Sequence, residues 1–142
     1  MRFMMLMIPK GYEKAKPDAV PSAEAVDAMM KYNDSLRKAG VLLALDGLHP
    51  LSTGARVEFT GGKHIVTDGP FIETREALGG YWMIDVKSRA EAVEWASRCP
   101  GVDCTIEVRQ VFEMSEFPDD VQRVADKYPE MRERFEPRKE RK

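Results

Sequence analysis

Residues 81–101 read YWMIDVKSRAEAVEWASRCPG and encode a strand followed by a capped helix. The segment 81–86 is rich in apolar and aromatic residues, as is typical of a strand. Ser88 is a preferred N-cap residue, and Glu91 stands three positions later, which completes a capping box. Pro100 and Gly101 then predict the end of the helix.

A further strand follows this stretch, and the same order of strand, helix and strand occurs upstream of it. Downstream, residues 105–112 alternate apolar and polar side chains and form a strand. Upstream, residues 2–8 are continuously apolar, which predicts a central strand covered on both faces. Ser22 caps a helix that reaches Ala39 and is closed by Gly40, and residues 41–45 form a second buried strand.

Between the two halves, the pattern predicts a β-hairpin. Residues 56–60 alternate polar and apolar, Gly61-Gly62 supply a turn that needs positive φ, and residues 63–67 return. With this hairpin set aside, the order is strand, helix, strand, strand, helix, strand. The expected fold is therefore α+β, a ferredoxin-like βαββαβ domain with an inserted β-hairpin.

The pattern of apolar and charged residues changes in the last part of the chain. We therefore divide the chain into a domain over residues 1–114 and a helical extension over residues 115–142. Apolar residues recur in the extension at helical spacing, and Pro129 predicts two short helices instead of one. The apolar stripe is typical either of an arm that packs on a partner subunit or of a helix that packs on its own domain.

Composition excludes several classes of protein. The 22 basic and 24 acidic residues leave a net charge of −2, which argues against a protein that coats nucleic acid. The longest apolar run is far shorter than the roughly 20 residues of a bilayer span, and no signal peptide is recognisable. We expect a cytoplasmic protein in which Cys99 and Cys104 are free thiols and no metal is bound.

The densest functional signal lies in residues 66–81, VTDGPFIETREALGGY. Asp68-Gly69-Pro70 predicts a rigid turn, and Phe71 is a large apolar anchor beside a cluster of charges. Asp68 either bonds backbone amides within the turn or points its carboxylate into a cleft as a general base.

This stretch resembles the DGPF motif of the YCII-related (YciI-like) proteins. The resemblance extends over roughly residues 1–114, in matching order and spacing, through the segments 39–42, 47–48, 73–76, 78–81, 91–92, 95–96 and 107–109. It implies a homodimer whose sheets form a dimeric α/β barrel with a small cleft in each subunit. Independently of the resemblance, we expect no cofactor. It also implies a possible regulatory link to a sigma factor.

The resemblance has a gap at the proposed acid–base pair of the YciI-like branch. Its histidine corresponds to Met29 in this sequence, and its aspartate corresponds to Cys99. Because neither residue can replace the original pair, we do not transfer that activity to this chain.

Three hypotheses of function remain open. The first is a small-molecule-binding protein, without direct nucleic-acid or membrane binding, whose cleft is built from Asp68, Phe71, Tyr81 and Arg109. The second is a cofactor-free lyase or hydrolase that acts on a small acidic or phenolic metabolite, with Asp68 and His49 as tentative catalytic acid and base. The third is an interaction module linked to a sigma factor.

Overall fold

The computed structural model describes residues 1–137. Six strands and four helices follow one another along the chain. They are β1 (Arg2–Pro9), α1 (Ala23–Lys38), β2 (Leu42–Gly47), β3 (Ala55–Thr60), β4 (Lys63–Asp68), β5 (Gly80–Asp85), α2 (Arg89–Ser97), β6 (Cys104–Gln110), α3 (Asp119–Ala125) and α4 (Pro129–Glu133). Short 3₁₀ turns occupy Tyr12–Lys14, Leu51–Thr53 and Met114–Glu116.

The sheet topology agrees with the predicted α+β class. Four strands form an antiparallel sheet in the order β2-β5-β1-β6, which is the order of a ferredoxin-like fold. β3 and β4 pair antiparallel as a separate two-stranded sheet. Over residues 1–137 the four-stranded sheet remains open and does not close into a barrel.

Local signals fix the helix ends and the hairpin turn. The Ser22 side chain accepts a hydrogen bond from the Ala25 amide, and Ser88 accepts one from the Glu91 amide. Gly40 has a φ of +75° directly after α1, as its role in closing that helix requires. Gly61 and Gly62, at +58° and +78°, form the predicted hairpin turn.

The core lies between the sheet and the two helices α1 and α2. Phe3, Met5, Leu36 and Ile84 are among its fully buried side chains. Trp82 is also buried, and its indole Nε1 donates a hydrogen bond of 2.7 Å to the side-chain oxygen of Asn33. This bond satisfies the one polar group that the indole brings into the core.

The opposite face of the sheet is covered only in part by the same chain. β1 was expected to be covered on both faces, yet Phe3 and Met5 are buried while Met4, Leu6 and Ile8 are only half-buried. The register aligns these side chains with residues of β2, β5 and β6 on the same side of the sheet. We call this side the open face; its members include Met4, Leu6, Ile8, Asp46, Tyr81, Met83, Glu107 and Arg109.

The residues after β6 contact the same chain. The Met114 amide donates to the Phe135 carbonyl at 2.8 Å, and Arg2 donates to the Arg134 carbonyl at 3.0 Å. α3 and α4 are separate short helices, and Pro129 is the first residue of the second. Nothing in residues 1–137 forms a helix with the length and hydropathy needed to cross a bilayer.

Candidate functional site

The turn after β4 is held against the loop that follows β2. The Gly69 amide donates to the Gly54 carbonyl at 2.8 Å. A Cβ on Gly69 would overlap the carbonyl oxygen of Leu51, so only glycine fits at this position. The Asp-Gly-Pro-Phe turn is therefore fixed by close backbone packing as well as by its own sequence.

Phe71 is covered by an arginine from the neighbouring hairpin. The Arg56 guanidinium lies 4.1 Å from the centre of the Phe71 ring, and its Nη2 donates to the Thr74 hydroxyl at 2.8 Å. Arg56 thereby fastens the segment after the turn to β3. One face of the Phe71 ring is occupied by this contact, which leaves less of the ring for a ligand than the sequence suggested.

The cluster of charges near Phe71 consists of Arg56, Glu73, Arg75 and Glu76, which are of both signs and could pair with one another. Within residues 1–137, none of these four side chains forms a salt bridge. Arg56 uses its guanidinium on an aromatic ring and a hydroxyl instead. The spacing between Arg56 on a strand and an aromatic residue after the paired strand was the available signal for this contact.

Asp68 and His49 both have exposed side chains. Asp68 ends β4 and pairs in register with Ala55. Over residues 1–137, its carboxylate takes part in no hydrogen bond, and the structure records none between it and the His49 ring. The pairing of these two residues as acid and base therefore remains a hypothesis.

Tyr81 forms a hydrogen bond with Asp46, which lies one residue beyond the strand predicted over residues 41–45. Its hydroxyl donates a 2.6 Å hydrogen bond to Oδ2 of Asp46. This bond raises the pKa of the Tyr81 phenol above its ordinary value, because the neighbouring carboxylate favours the protonated form. Asp46 was missed because Asp-Gly indicates a turn, whereas β2 continues to Gly47, which pairs with Gly80.

Arg109 lies on the same open face, two strands away from Tyr81. It stands opposite Met4 in the register, while Tyr81 stands opposite Leu6. Strand spacing and the two-residue offset put the Cα atoms of Tyr81 and Arg109 roughly 12 Å apart. Half-buried Met4 and Leu6 therefore form an apolar floor between a hydrogen-bonded phenol–carboxylate pair and an exposed guanidinium.

Two surface clefts are present, and the first of them borders the open face at Met83. One, of about 720 Å³, is bounded by Arg2, Leu43, Met83 and α4. The other, of about 450 Å³, lies between α2 and β6. None of Asp68, Phe71, Tyr81 and Arg109 lines either cleft, so these four residues do not enclose one of them together.

The donor groups present do not assemble a metal centre in the part of the chain that the structure describes. No three His, Cys, Asp or Glu side chains between residues 1 and 137 are grouped closely enough to hold an ion. What the site can offer chemically is a carboxylate, a phenol and a guanidinium on one apolar surface.

Comparison with known proteins agrees with this topology. A model of the YCII-related domain matches residues 1–115. An uncharacterized protein of Rhizobium meliloti (strain 1021) is 41% identical over 59 residues, which are 42% of this chain and 48% of that protein. The match thus spans about half the length of that relative. Since the family model covers four-fifths of the sequence, including every strand of the open-faced sheet, the chain belongs to the YCII-related family.

Proposed function

We propose that this chain is a DGPF-type member of its family and works as a cytoplasmic homodimer that binds a small acidic molecule. In this proposal, residues 1–114 are the binding domain, two open faces meet in a dimeric α/β barrel, and the hairpin β3–β4 is an insertion in the ferredoxin-like domain. Residues 115–137 of the extension pack on their own subunit, and the rest of the extension lies outside the described residues. The observation that carries the proposal is the half-buried apolar floor of the open face with charged groups at its margins.

Burial energetics support the dimer. Met4, Leu6 and Ile8 lie on the central strand β1 and Met83 lies on β5, yet within residues 1–137 all four are only half-buried, whereas Phe3 and Met5 are fully buried. Transfer of such apolar area from water is worth about 25 cal/mol per Å², so a second open face would stabilise the assembly. In a two-fold symmetric dimer both copies contribute the same surface, so the apolar floor of one subunit would cover that of the other.

The charged and polar groups at the margins of the floor support the proposal that the ligand is acidic. Arg109 is exposed and forms no salt bridge within residues 1–137, and a guanidinium binds a carboxylate through two parallel hydrogen bonds. Asp46 and the oxygen of Tyr81 can accept a hydrogen bond from a ligand hydroxyl on the opposite side. Enclosure of the ligand then comes from the second subunit.

Asp68 and Phe71 have less direct parts in the proposal. Arg56 already covers one face of the Phe71 ring, so Phe71 supports the loop that borders the cleft. Asp68 is exposed beside that loop and remains a candidate contact for a ligand group that donates hydrogen bonds.

The dimer is tested by placing a charge on the floor. Leu6→Asp should convert the protein to a monomer in light scattering with its far-ultraviolet circular dichroism preserved, because Leu6 is only half-buried in one chain. Ile72→Asp is the matched control, since that side chain is 98% exposed away from the sheet. A wild-type monomer, or a Leu6→Asp dimer, would overturn the open-face dimer.

Ligand binding is tested with 4-hydroxybenzoate, which carries a carboxylate and a phenol at opposite ends. We expect chemical-shift changes at Tyr81 and Arg109, and weaker binding by Arg109→Gln. The neutral 4-hydroxybenzamide should bind less well than the acid. Equal binding of the acid and the amide would rule out the role of Arg109, whatever the oligomeric state.

One observation favours a second candidate, a cofactor-free enzyme that transfers a proton to or from a phenolic metabolite. The Tyr81–Asp46 bond is a preformed acid–base contact, whereas His49 and Asp68 show none. Turnover of the phenolic substrate should be retained in a His49→Ala, Asp68→Asn double variant and lost in Asp46→Asn. This result would assign the chemistry to the Tyr81–Asp46 pair.

A further inference from the structure

Two thiols flank the short loop that joins α2 to β6. Cys99 lies two residues beyond the last residue of α2, and Cys104 is the first residue of β6. Both are half-buried free cysteines. The loop between them contains Gly101 and turns at Asp103, whose φ is +49°.

Both sulfur atoms lie against the same glycine. The backbone amide of Gly101 lies near the sulfur of Cys99 and lowers the pKa of its thiol, against the larger effect of burial. A Cβ on Gly101 would overlap Sγ of Cys104, so that sulfur sits directly beside the Gly101 Cα. Because the amide nitrogen and Cα of one residue are bonded to each other, the two sulfurs are near neighbours across Gly101.

Small reactants can reach the two thiols. Cys99 and Cys104 line the groove of about 450 Å³ between α2 and β6, together with Gly101 and Arg89. The groove is thus a surface site with two nucleophilic sulfurs and an arginine at its border. The family's proposed acid–base pair does not explain two thiols here, since Cys99 stands at the position of its aspartate.

We propose that Cys99 and Cys104 form a reversible oxidation site, in which a hydroperoxide entering the groove converts the two thiols into an intrachain disulfide. The site is separate from the open face, because Cys99 packs against the helix-side core. It therefore does not depend on the proposed ligand or on the dimer.

The chemistry balances with the hydroperoxide as the oxidant. The Cys104 thiolate attacks the terminal peroxide oxygen, the O–O bond breaks, and water or an alcohol leaves with the Cys104 proton. The sulfur of Cys99 then attacks the resulting sulfenic acid, the S–O bond breaks, and a second water leaves with the Cys99 proton. Two electrons pass from the two sulfurs to the peroxide, and a dithiol reductant reverses the reaction.

The environment of Cys99 suits the second step. Burial is the largest influence on its thiol and raises the pKa above the ordinary value, so a smaller fraction of Cys99 is thiolate at any given pH. A protonated thiol reacts slowly with peroxide, because the thiolate is the nucleophile. Cys104 is thus assigned the first attack, and Cys99 resolves the sulfenic acid.

The test is titration of the full chain with hydrogen peroxide, followed by alkylation under denaturing conditions and peptide mass analysis. We expect loss of both free thiols, a peptide pair lighter by two hydrogens that joins Cys99 to Cys104 within one chain, and recovery with dithiothreitol. Cys99→Ser should accumulate a dimedone-reactive sulfenic acid on Cys104. Cys104→Ser should lose most of the reactivity.

Other outcomes overturn the proposal. Disulfide-linked dimers as the main product, or sulfinic acid on both cysteines without any bond between them, would exclude an intrachain pair. In Cys104→Ser, a dimedone adduct that forms on Cys99 as fast as the wild-type thiols react with peroxide would refute the assignment of the first attack to Cys104. The first two outcomes are measured on the wild-type protein, so they test the proposal even where a variant folds poorly.

Discussion

The hydroxyl of Tyr81 in β5 donates a 2.6 Å hydrogen bond to Oδ2 of Asp46 in the neighbouring edge strand β2. Register pairs the same two residues across the sheet, so the bond links side chains that already share the open face. It holds the phenol in one orientation and gives the face a fixed polar group.

This bond predicts how Tyr81 titrates. The hydrogen bond to Asp46 is the largest cause of the raised pKa, followed by partial burial and the negative charge of the carboxylate. In Asp46→Asn the charge is gone, so the Tyr81 pKa should fall toward its ordinary value of 10.0. Tyrosinate absorbance followed through an alkaline titration measures the change, with Tyr81→Phe identifying the contribution of this residue.

The same shift has a consequence for stability, with a definite sign. A phenol whose pKa is higher in the folded than in the unfolded state stabilises the fold below pH 10, and this contribution is lost as pH rises through the folded pKa. Asp46→Asn should therefore narrow the stability difference between neutral and alkaline pH. Titration and unfolding curves that superimpose on those of the wild type would contradict the role of the bond.

A second prediction concerns the glycine of the Asp-Gly-Pro-Phe turn. Gly69→Ala places a Cβ where the Leu51 carbonyl oxygen lies, so the two loops must separate. We expect a loss of about 1–3 kcal/mol in the free energy of unfolding, as for overpacking elsewhere. Urea denaturation measures it.

Gly47→Ala is the matched control for this variant. Gly47 also borders the loop after β2, but no atom lies within 4 Å of a Cβ built there. The stability of Gly47→Ala should remain close to that of the wild type. Equal losses in both variants would show that glycine matters for chain flexibility and not for the contact with Leu51.

A third prediction tests the polar contact in the core. Asn33→Leu removes the acceptor of the Trp82 indole, leaving a buried N–H without a partner. The expected cost is about 1–3 kcal/mol in the free energy of unfolding. Calorimetry or urea denaturation gives the value.

A double-mutant cycle with Trp82→Phe isolates this bond from changes in packing. Phenylalanine has no N–H, so Asn33→Leu should cost less in the Trp82→Phe background than in the wild type. An unchanged cost would attribute the effect of Asn33 to its other contacts, such as the one with the sulfur of Met30 at 3.8 Å.

Local sequence signals predicted the elements well, because each acts within a few residues. Ser22 and Ser88 cap the helices through amides three positions away, and the Gly61-Gly62 turn fixes the hairpin register. The order of these elements was then enough to predict the ferredoxin-like topology.

The candidate site was harder to predict, since its contacts join residues distant in sequence. The Tyr81–Asp46 bond depends on how far β2 runs along β5, and an Asp-Gly pair gives the opposite indication. The prediction that β1 is covered on both faces stays a prediction, because an apolar run does not reveal which neighbour buries it, and the single chain covers one face only in part. The contact of Arg56 with Phe71 joins β3 to the segment that follows β4, so it depends on the path of the chain after the hairpin, which the spacing of the two residues indicates but does not fix.

The last prediction concerns the fastening of the segment after the turn by Arg56. Arg56→Lys keeps the charge but loses the planar guanidinium that stacks on Phe71 and bonds Thr74. An exposed cation–π contact is worth about 0.5–1 kcal/mol, so residues 70–78 should open more often while the core strands stay protected. Hydrogen exchange at the Thr74 amide, which donates to the Phe71 carbonyl at 3.1 Å, reports this opening. Thr74→Val removes only the hydrogen bond to Arg56 and should raise exchange less than Arg56→Lys does. Unchanged exchange in the segment, or a uniform increase across β1 and β5, would show that Arg56 does not hold this loop locally.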